Sequence, residues 1–184
     1  MLDTLLQLDE KWLLLINGAH APWLDQLMVL ISNKLSFLLY IPIVIVVYTK
    51  TNLKQTGIVL LGALCTYVLD DNISTRVFKH NFARLRPCHE PHLEGLLNLP
   101  DGCGGQFGFI SSHAANHFGL ALFFALVFSK YYPKSFWWFF IFPLVVIYSR
   151  VYLAAHYPGD VLCGALLGLL VAWGVFKWFN RWFG

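Results

Sequence analysis

Charge is what this chain has least of: Asp, Glu, Lys and Arg together supply 12% of its 184 residues, about half the usual share of a soluble domain. So few charges cannot cover a water-facing surface around a chain that is 58% apolar, which excludes an ordinary soluble enzyme and points to the membrane class. A positive n-region is also missing. Asp3, Asp9 and Glu10 stand where a secretory signal would carry its cations, and Lys11 interrupts the apolar stretch, so the start is expected to stay on the mature protein. The length suits one domain, residues 1–184, with no extra soluble domain and no nucleic-acid partner expected.

What is present in abundance is long apolar runs, at roughly 36–49, 55–69, 114–129, 136–148 and 161–176, with charge returning at their ends. Each approaches the ~20 residues that cross a bilayer only with its flanks, and five spans is the natural count. Pro42 and Pro143 fall inside two runs, which a membrane bundle tolerates because neighbouring helices satisfy the freed carbonyls. Residues 1–19 set Asp3, Gln7, Glu10 and Lys11 against Leu5, Leu8, Trp12, Leu15 and Ile16, the pattern of an amphipathic helix lying in the interface or packed on the bundle. The expected fold is therefore all-α: a polytopic membrane helical bundle of about five transmembrane helices, an N-terminal interfacial helix, and an outer loop over 70–111.

Acidic residues are absent from one side of that bundle. Alternating five spans puts Lys50, Lys54, Lys130, Lys134, Lys177 and Arg181 together with none of the ten Asp and Glu residues, so that side is read as cytoplasmic. The 70–111 loop then faces outward. Cys88 and Cys103 bracket part of it and are expected to pair in an oxidising compartment, where closing a loop of about 15 residues stabilises by about 3 kcal/mol; two free thiols are the alternative.

Three stretches keep polar groups at outer span ends: Lys79 to Pro87, Phe109 to His117, and Ser149 to Asp160. Ionisable groups at membrane depth are functional candidates. Lys79, Arg86 and Arg150 are three cations suited to phosphate oxygens, although any one alone reads as a headgroup anchor, as Arg76 and Arg84 are read here. Ser111 stands as the N-cap of a helix whose next amides, on Ser112 and His113, point outward as an anion site; a plain structural cap accounts for Ser111 equally well. His113 and His117, one turn apart, raise a metal pair as a rival, but no glutamate lies between them and no third ligand is evident. Pro158 opens the last helix and sets Asp160 four residues after His156, where its carboxylate can hold the imidazole as an oriented nucleophile; a satisfied polar pair is the alternative.

Lys79-x6-Arg86-Pro87, Phe109-Ile-Ser-Ser-His113 and Ser149-Arg150-x5-His156-x3-Asp160 together resemble the three-part signature of the type-2 phosphatidic acid phosphatase family, in order, spacing and residue type, across about eighty residues. The resemblance implies a metal-independent lipid phosphatase with no cofactor. In it His156 attacks phosphorus, His113 protonates the leaving oxygen, and Asp160 orients His156. Lys79, Arg86, Ser111, Arg150 and the amide of Ser112 hold the equatorial oxygens. Ile110 and Ser112 depart from the family's usual Pro-Ser-Gly-His, which makes the geometry of that loop depend on whether Ser112 keeps a negative φ.

The substrate expected by analogy is a polyprenyl diphosphate such as undecaprenyl diphosphate, with phosphatidylglycerophosphate, phosphatidate and lipid A phosphates as alternatives. The chain would act in the inner membrane, multi-pass, with its site toward the periplasm or exterior. A lipid phosphotransferase using the same residues is a rival from another class, and a non-enzymatic scaffold or channel is a third. Gly164-x3-Gly168 permits close helix contact, either within the bundle or between two copies in a homodimer.

Overall fold

Residues 2–182 are described by the computed structural model; Met1, Phe183 and Gly184, the ends of the expected 1–184 domain, lie outside the described residues. The chain is helical almost throughout. Helix α1 (Leu2–Gly18) and α2 (Pro22–Ser32) precede a 3-10 stretch, Lys34–Tyr40, that runs into α3 (Ile41–Lys50). Helix α4 begins at Leu53–Asn72, widens into a π-helix over Ile73–Lys79 and closes at His80–Phe82. After a long loop come α5 (Ser112–Phe128), a second 3-10 stretch (Pro133–Phe140), α6 (Ile141–Tyr152) and α7 (Pro158–Asn180). An isolated antiparallel bridge between Leu85 and Phe107 is the sole β pairing among the described residues.

Local chemistry sets these boundaries. Asn52 accepts from the Gln55 amide at 2.9 Å while Gln55 reaches back to Asn52, a capping box that starts α4. Pro22 and Pro158 occupy first turns, where a missing N–H costs nothing. Ala83, left-handed at φ 45°, ends α4, so residues 70–82, expected in the outer loop, are helical instead. The reason is visible in the spacing of Asp70, Ser74 and the four-residue stripe Tyr67, Asp71, Thr75, Lys79: these polar groups line an inner face, not a solvated loop.

Among the described residues, three helices are long and apolar enough to cross a membrane alone: Leu53–Phe82, Pro133–Tyr152 and Pro158–Asn180. The pair Pro22–Ser32 and Lys34–Lys50, bent by 67°, is a fourth if counted as one span. The fifth expected run is α5, whose 17 residues reach about 25 Å, short of a hydrocarbon core of about 30 Å. It tolerates this because 13 of the 17 are buried, so protein and not lipid encloses it. Outward-facing Leu162, Leu166, Leu170 and Trp173 on α7 give the opposite surface, apolar and exposed, as a bilayer requires.

Helix α4 runs antiparallel to α5: Ser74 bonds Ser112, Asp70 abuts Gly119, and Gly62 abuts Phe123. Against α7 the approach is closer still. A Cβ on Gly164 would lie 2.4 Å from the Ser111 carbonyl, and one on Gly168 would lie 2.1 Å from that of Ala115. The Gly164-x3-Gly168 pair is therefore used inside the bundle, which removes it as an argument for a homodimer. Gly168→Ala is expected to destabilise by about 3 kcal/mol, the upper end of overpacking, because a backbone carbonyl cannot step aside. Gly174→Ala on the same helix has nothing within 4 Å and should be neutral or slightly stabilising; thermal unfolding of the two variants in detergent makes the comparison.

Helix α1 packs on the bundle along one side and carries exposed apolar side chains on the other. Leu5, Leu8, Trp12 and Leu15 are exposed, while Leu13 and Asn17 are buried against the bundle, the Asn17 amide donating to the carbonyls of Asn98 at 2.8 Å and Tyr152 at 2.7 Å. At the far end, Lys50 lies over the Tyr132 ring and Lys130 over that of Phe176, so the ends of α3, α5 and α7 gather at one pole.

Candidate active site

The loop after α4 is pinned before it reaches the site. Arg86 N donates to Gln106 O at 2.9 Å and Gly108 N to Arg84 O at 2.8 Å, closing a short antiparallel contact. A disulfide between Cys88 and Cys103, with Cα atoms 5.7 Å apart, ties its outer end. With those sulfurs bonded, Cys88, His89 and Cys103, which stand near enough to share an ion, have no free thiolate for one. Arg84 and Arg86 stand two residues apart, where strict alternation would put them on one face, yet Arg84 reaches Asp9 and Asp160 while Arg86 turns to Gly108 and Phe107. Arg86 packs over Gly108, where a Cβ would sit 3.2 Å from its Cγ and 3.1 Å from an Asp160 oxygen, and its Nε donates to Phe107 O at 3.3 Å.

The third motif is folded by its own backbone. The Arg150 carbonyl accepts from Ala155 N at 3.1 Å and His156 N at 3.3 Å, so the five-residue spacing closes a turn, with Ala154 left-handed at φ 49°, that presents His156 just before α7. His156 is 1% exposed and Asp160 0%. Their closest atoms, Nδ1 and Oδ2, stand 3.6 Å apart, too long for a hydrogen bond, and Nδ1 has no other partner among the described residues. The carboxylate is engaged elsewhere: Oδ2 accepts from Tyr157 N at 3.1 Å and Oδ1 from Arg84 at 2.7 Å. The hydrogen bond expected between Asp160 and His156 is therefore not made in this structure.

Arg84, read from sequence as a headgroup anchor, is instead the strut behind the site. It joins Asp160 to Asp9 of α1, 2.7 Å from each, with its guanidinium stacked 4.1 Å from the Tyr157 ring centre. Asp9 in turn accepts from Gly159 N at 2.6 Å, at the start of α7. Burial opposes the Arg84 charge, but the two carboxylates outweigh it and hold the group above its ordinary pKa. No sequence signal set Arg84 apart from Arg86, and its acidic partner in α1, 75 residues away, left none.

Ser111 is fully buried, its hydroxyl capping Ala114 N at 3.4 Å and its own N–H donating to Asp160 O at 3.0 Å. Ser112 opens α5 with helical backbone and no positive φ, and its hydroxyl accepts from Lys79 Nζ at 3.0 Å and from Ser74 at 2.8 Å. Lys79, Arg86, Ser112, His113 and His156 line one cavity of about 260 Å³. Ser111, Arg150 and Asp160 stand behind that wall; Arg150 is 7% exposed, donates to Ser32 Oγ, and leaves its Nε unpartnered among the described residues. Burial, reinforced by Arg150, Arg86 and Lys79, pushes the His156 imidazole well below its ordinary pKa, so it is neutral at pH 7.

His117 turns away from this cavity. Its ring nitrogens meet Tyr40 Oη at 3.2 Å and Ser36 Oγ at 3.3 Å, and it stacks on Phe37 at 4.3 Å, which accounts for it as a satisfied core histidine and not as a metal partner of His113. The sequence reading also missed Lys34, Asp71, Thr75 and Asn116, which line the cavity from outside the three motifs. A second, apolar cavity of about 650 Å³ lies between α3, α4 and α5, and the two share Lys34, Phe37 and Tyr67 in their walls.

A buried histidine, a half-buried one and a cluster of cations at one pole of a membrane helical bundle, opening onto an apolar groove, are the groups an integral membrane phosphatase needs. Residues 56–183 match the PAP2 superfamily, and the chain belongs to that family. It is 32% identical over 190 residues to a lipid A 4'-phosphatase of Porphyromonas gingivalis, covering 100% of this chain and 79% of that one. A lipid A 4'-phosphatase of Bacteroides thetaiotaomicron is 31% identical over 176 residues, covering 94% and 77%. Among solved structures, the PAP2-type phosphatidylglycerolphosphate phosphatase of Bacillus subtilis superposes with a TM-score of 0.73 at 24% identity over 97% of this chain and 87% of its own. LpxE of Aquifex aeolicus gives 0.63, also at 24%, over 92% and 95%.

Proposed function

We propose that this enzyme hydrolyses a phosphate monoester of a membrane glycolipid of the lipid A kind, through a phosphohistidine formed on His156, at the outer face of the inner membrane. The observation that carries this reading is the shared wall between the phosphate-sized polar cavity and the apolar groove: a headgroup phosphate can sit against Lys79, Arg86 and His156 while acyl chains remain between α3 and α4. The polyprenyl diphosphate favoured from sequence gives way, because both curated relatives carry the name of a monoester phosphatase.

In the reaction, the free nitrogen of neutral His156 attacks phosphorus and the P–O bond to the headgroup breaks. His113, entering as the imidazolium beside the phosphate charge, gives its proton to the departing oxygen, then takes one from the water that attacks phosphorus; the P–N bond breaks, phosphate leaves, and His156 returns neutral and His113 protonated. Lys79, Arg86 and the amides at the start of α5 stabilise the charge on the equatorial oxygens. Water as acceptor, in preference to a second lipid, follows from the hydrolase names of the relatives.

The test is a panel of lipid A 4'-phosphate, phosphatidylglycerophosphate, phosphatidate and undecaprenyl diphosphate, presented to purified protein in detergent with chelator. Free phosphate released fastest from the lipid A substrate is the expected result. Activity lost with chelator, or a phosphorylated lipid as product, would sink the reading.

A further inference from the structure

One carboxylate lines the cavity and is not used by the reaction above. Asp71 lines it together with Lys79, Arg86 and His156, is half-buried, and forms no ion pair within 4 Å among the described residues. Its charge acts on the Lys79 ammonium. A carboxylate inside a phosphate site opposes the ligand, and its position along the path says which part of the ligand it meets. Tyr67, Asp71, Thr75 and Lys79 follow one another at intervals of four on the inner face of α4, and all four line the cavity. Tyr67 also belongs to the apolar groove. At about 6 Å of rise per four residues, Asp71 therefore stands between the chain-binding end and the phosphate-binding end, beside whatever links phosphorus to the acyl chains.

We propose that Asp71 is a specificity-determining residue, which accepts hydrogen bonds from hydroxyl or amide groups of the headgroup and repels a second phosphate at that position. This rests on the function proposed above and deepens it. The two ends of the cavity differ in charge. At the reacting end Lys79 and Arg86 stand together; toward the groove the Asp71 carboxylate and Lys34 line the wall without an ion pair between them among the described residues, with the Phe37 and Tyr67 rings there edge to face at 5.4 Å. A polar collar with aromatic surface suits a sugar ring bearing hydroxyls and amides. In a diphosphate ester the second phosphate, one bridging oxygen from the first, would have to lie on the groove side of the reacting phosphorus. It would meet a like charge where desolvation is partial and screening weak.

The experiment compares kcat/KM for undecaprenyl diphosphate and for lipid A 4'-phosphate, each in the same detergent micelle, in wild type and in Asp71→Asn. The amide keeps an acceptor and the volume but removes the charge. The ratio of diphosphate to monoester turnover is expected to rise by about tenfold or more; any smaller change, or a fall, overturns the proposal. Because a ratio on one preparation is read, partial loss of folded protein does not affect it, and Asp71→Ser serves if the amide does not accumulate. If wild type releases phosphate from no lipid, the proposed function falls; if wild type is active and the ratio does not move, only the role of Asp71 falls.

Discussion

Phosphate release should drop by at least about 10⁴-fold when His156 is replaced by alanine, while the protein still inserts and elutes as wild type does. The size follows from its proposed role, since without a nucleophile the covalent route is closed and only binding and charge stabilisation remain. Survival of the fold follows from the structure: the turn that presents His156 is held by its backbone N–H to Arg150 O, and Nδ1 leaves no orphaned partner when removed. Phosphate release near the wild-type rate would refute the assignment. The pH dependence has a definite sign. Folded His156 lies below its ordinary pKa, so acidification through about pH 6.5 protonates it in the unfolded chain and not in the native one. Its contribution to stability is full above that pH and declines below it, while the nucleophile itself stays unprotonated. A loss of turnover near pH 6.5 would therefore have to come from another group.

Arg84→Ala is the second large effect expected. It strips from the fully buried Asp160, and from Asp9, the one Lys or Arg that forms an ion pair with either among the described residues, and should cost about 3 kcal/mol, the low end for breaking a buried pair because Arg84 keeps 22% exposure. Turnover should fall by about 10²-fold through misplacement of His156, with KM little changed. Arg84→Lys separates the two consequences: an ammonium meets one carboxylate but cannot bridge both, so much of the stability returns while kcat stays low. Full recovery of kcat in Arg84→Lys would reduce Arg84 to a structural role.

The helices and the side chains that meet in the polar cavity were legible in sequence for different reasons. Apolar runs of membrane length declare themselves without any knowledge of partners, and Lys79, Arg86, His113 and His156 stand at fixed spacings that local backbone closure explains, as the Arg150 carbonyl to His156 shows. Arg84 and Asp71 were not legible, because each takes its meaning from the far side of a contact: Asp9 in α1 for one, the groove behind Tyr67 for the other. The end of α4 was misread at 70–82 because polarity in a membrane chain suggests a loop unless the buried face is known. Ser112 was read as a departure of uncertain effect, and its hydroxyl instead binds Lys79.

The bonds from Asp9 to Arg84 and to the amide of Gly159 make the amino-terminal helix a working part of the catalytic centre, although it lies outside the matched family region. A fusion partner or purification handle joined at that end would pull on the strut, whereas one joined after α7 would hang from the opposite pole. Kinetic work on this enzyme should therefore be done with carboxy-terminal handles.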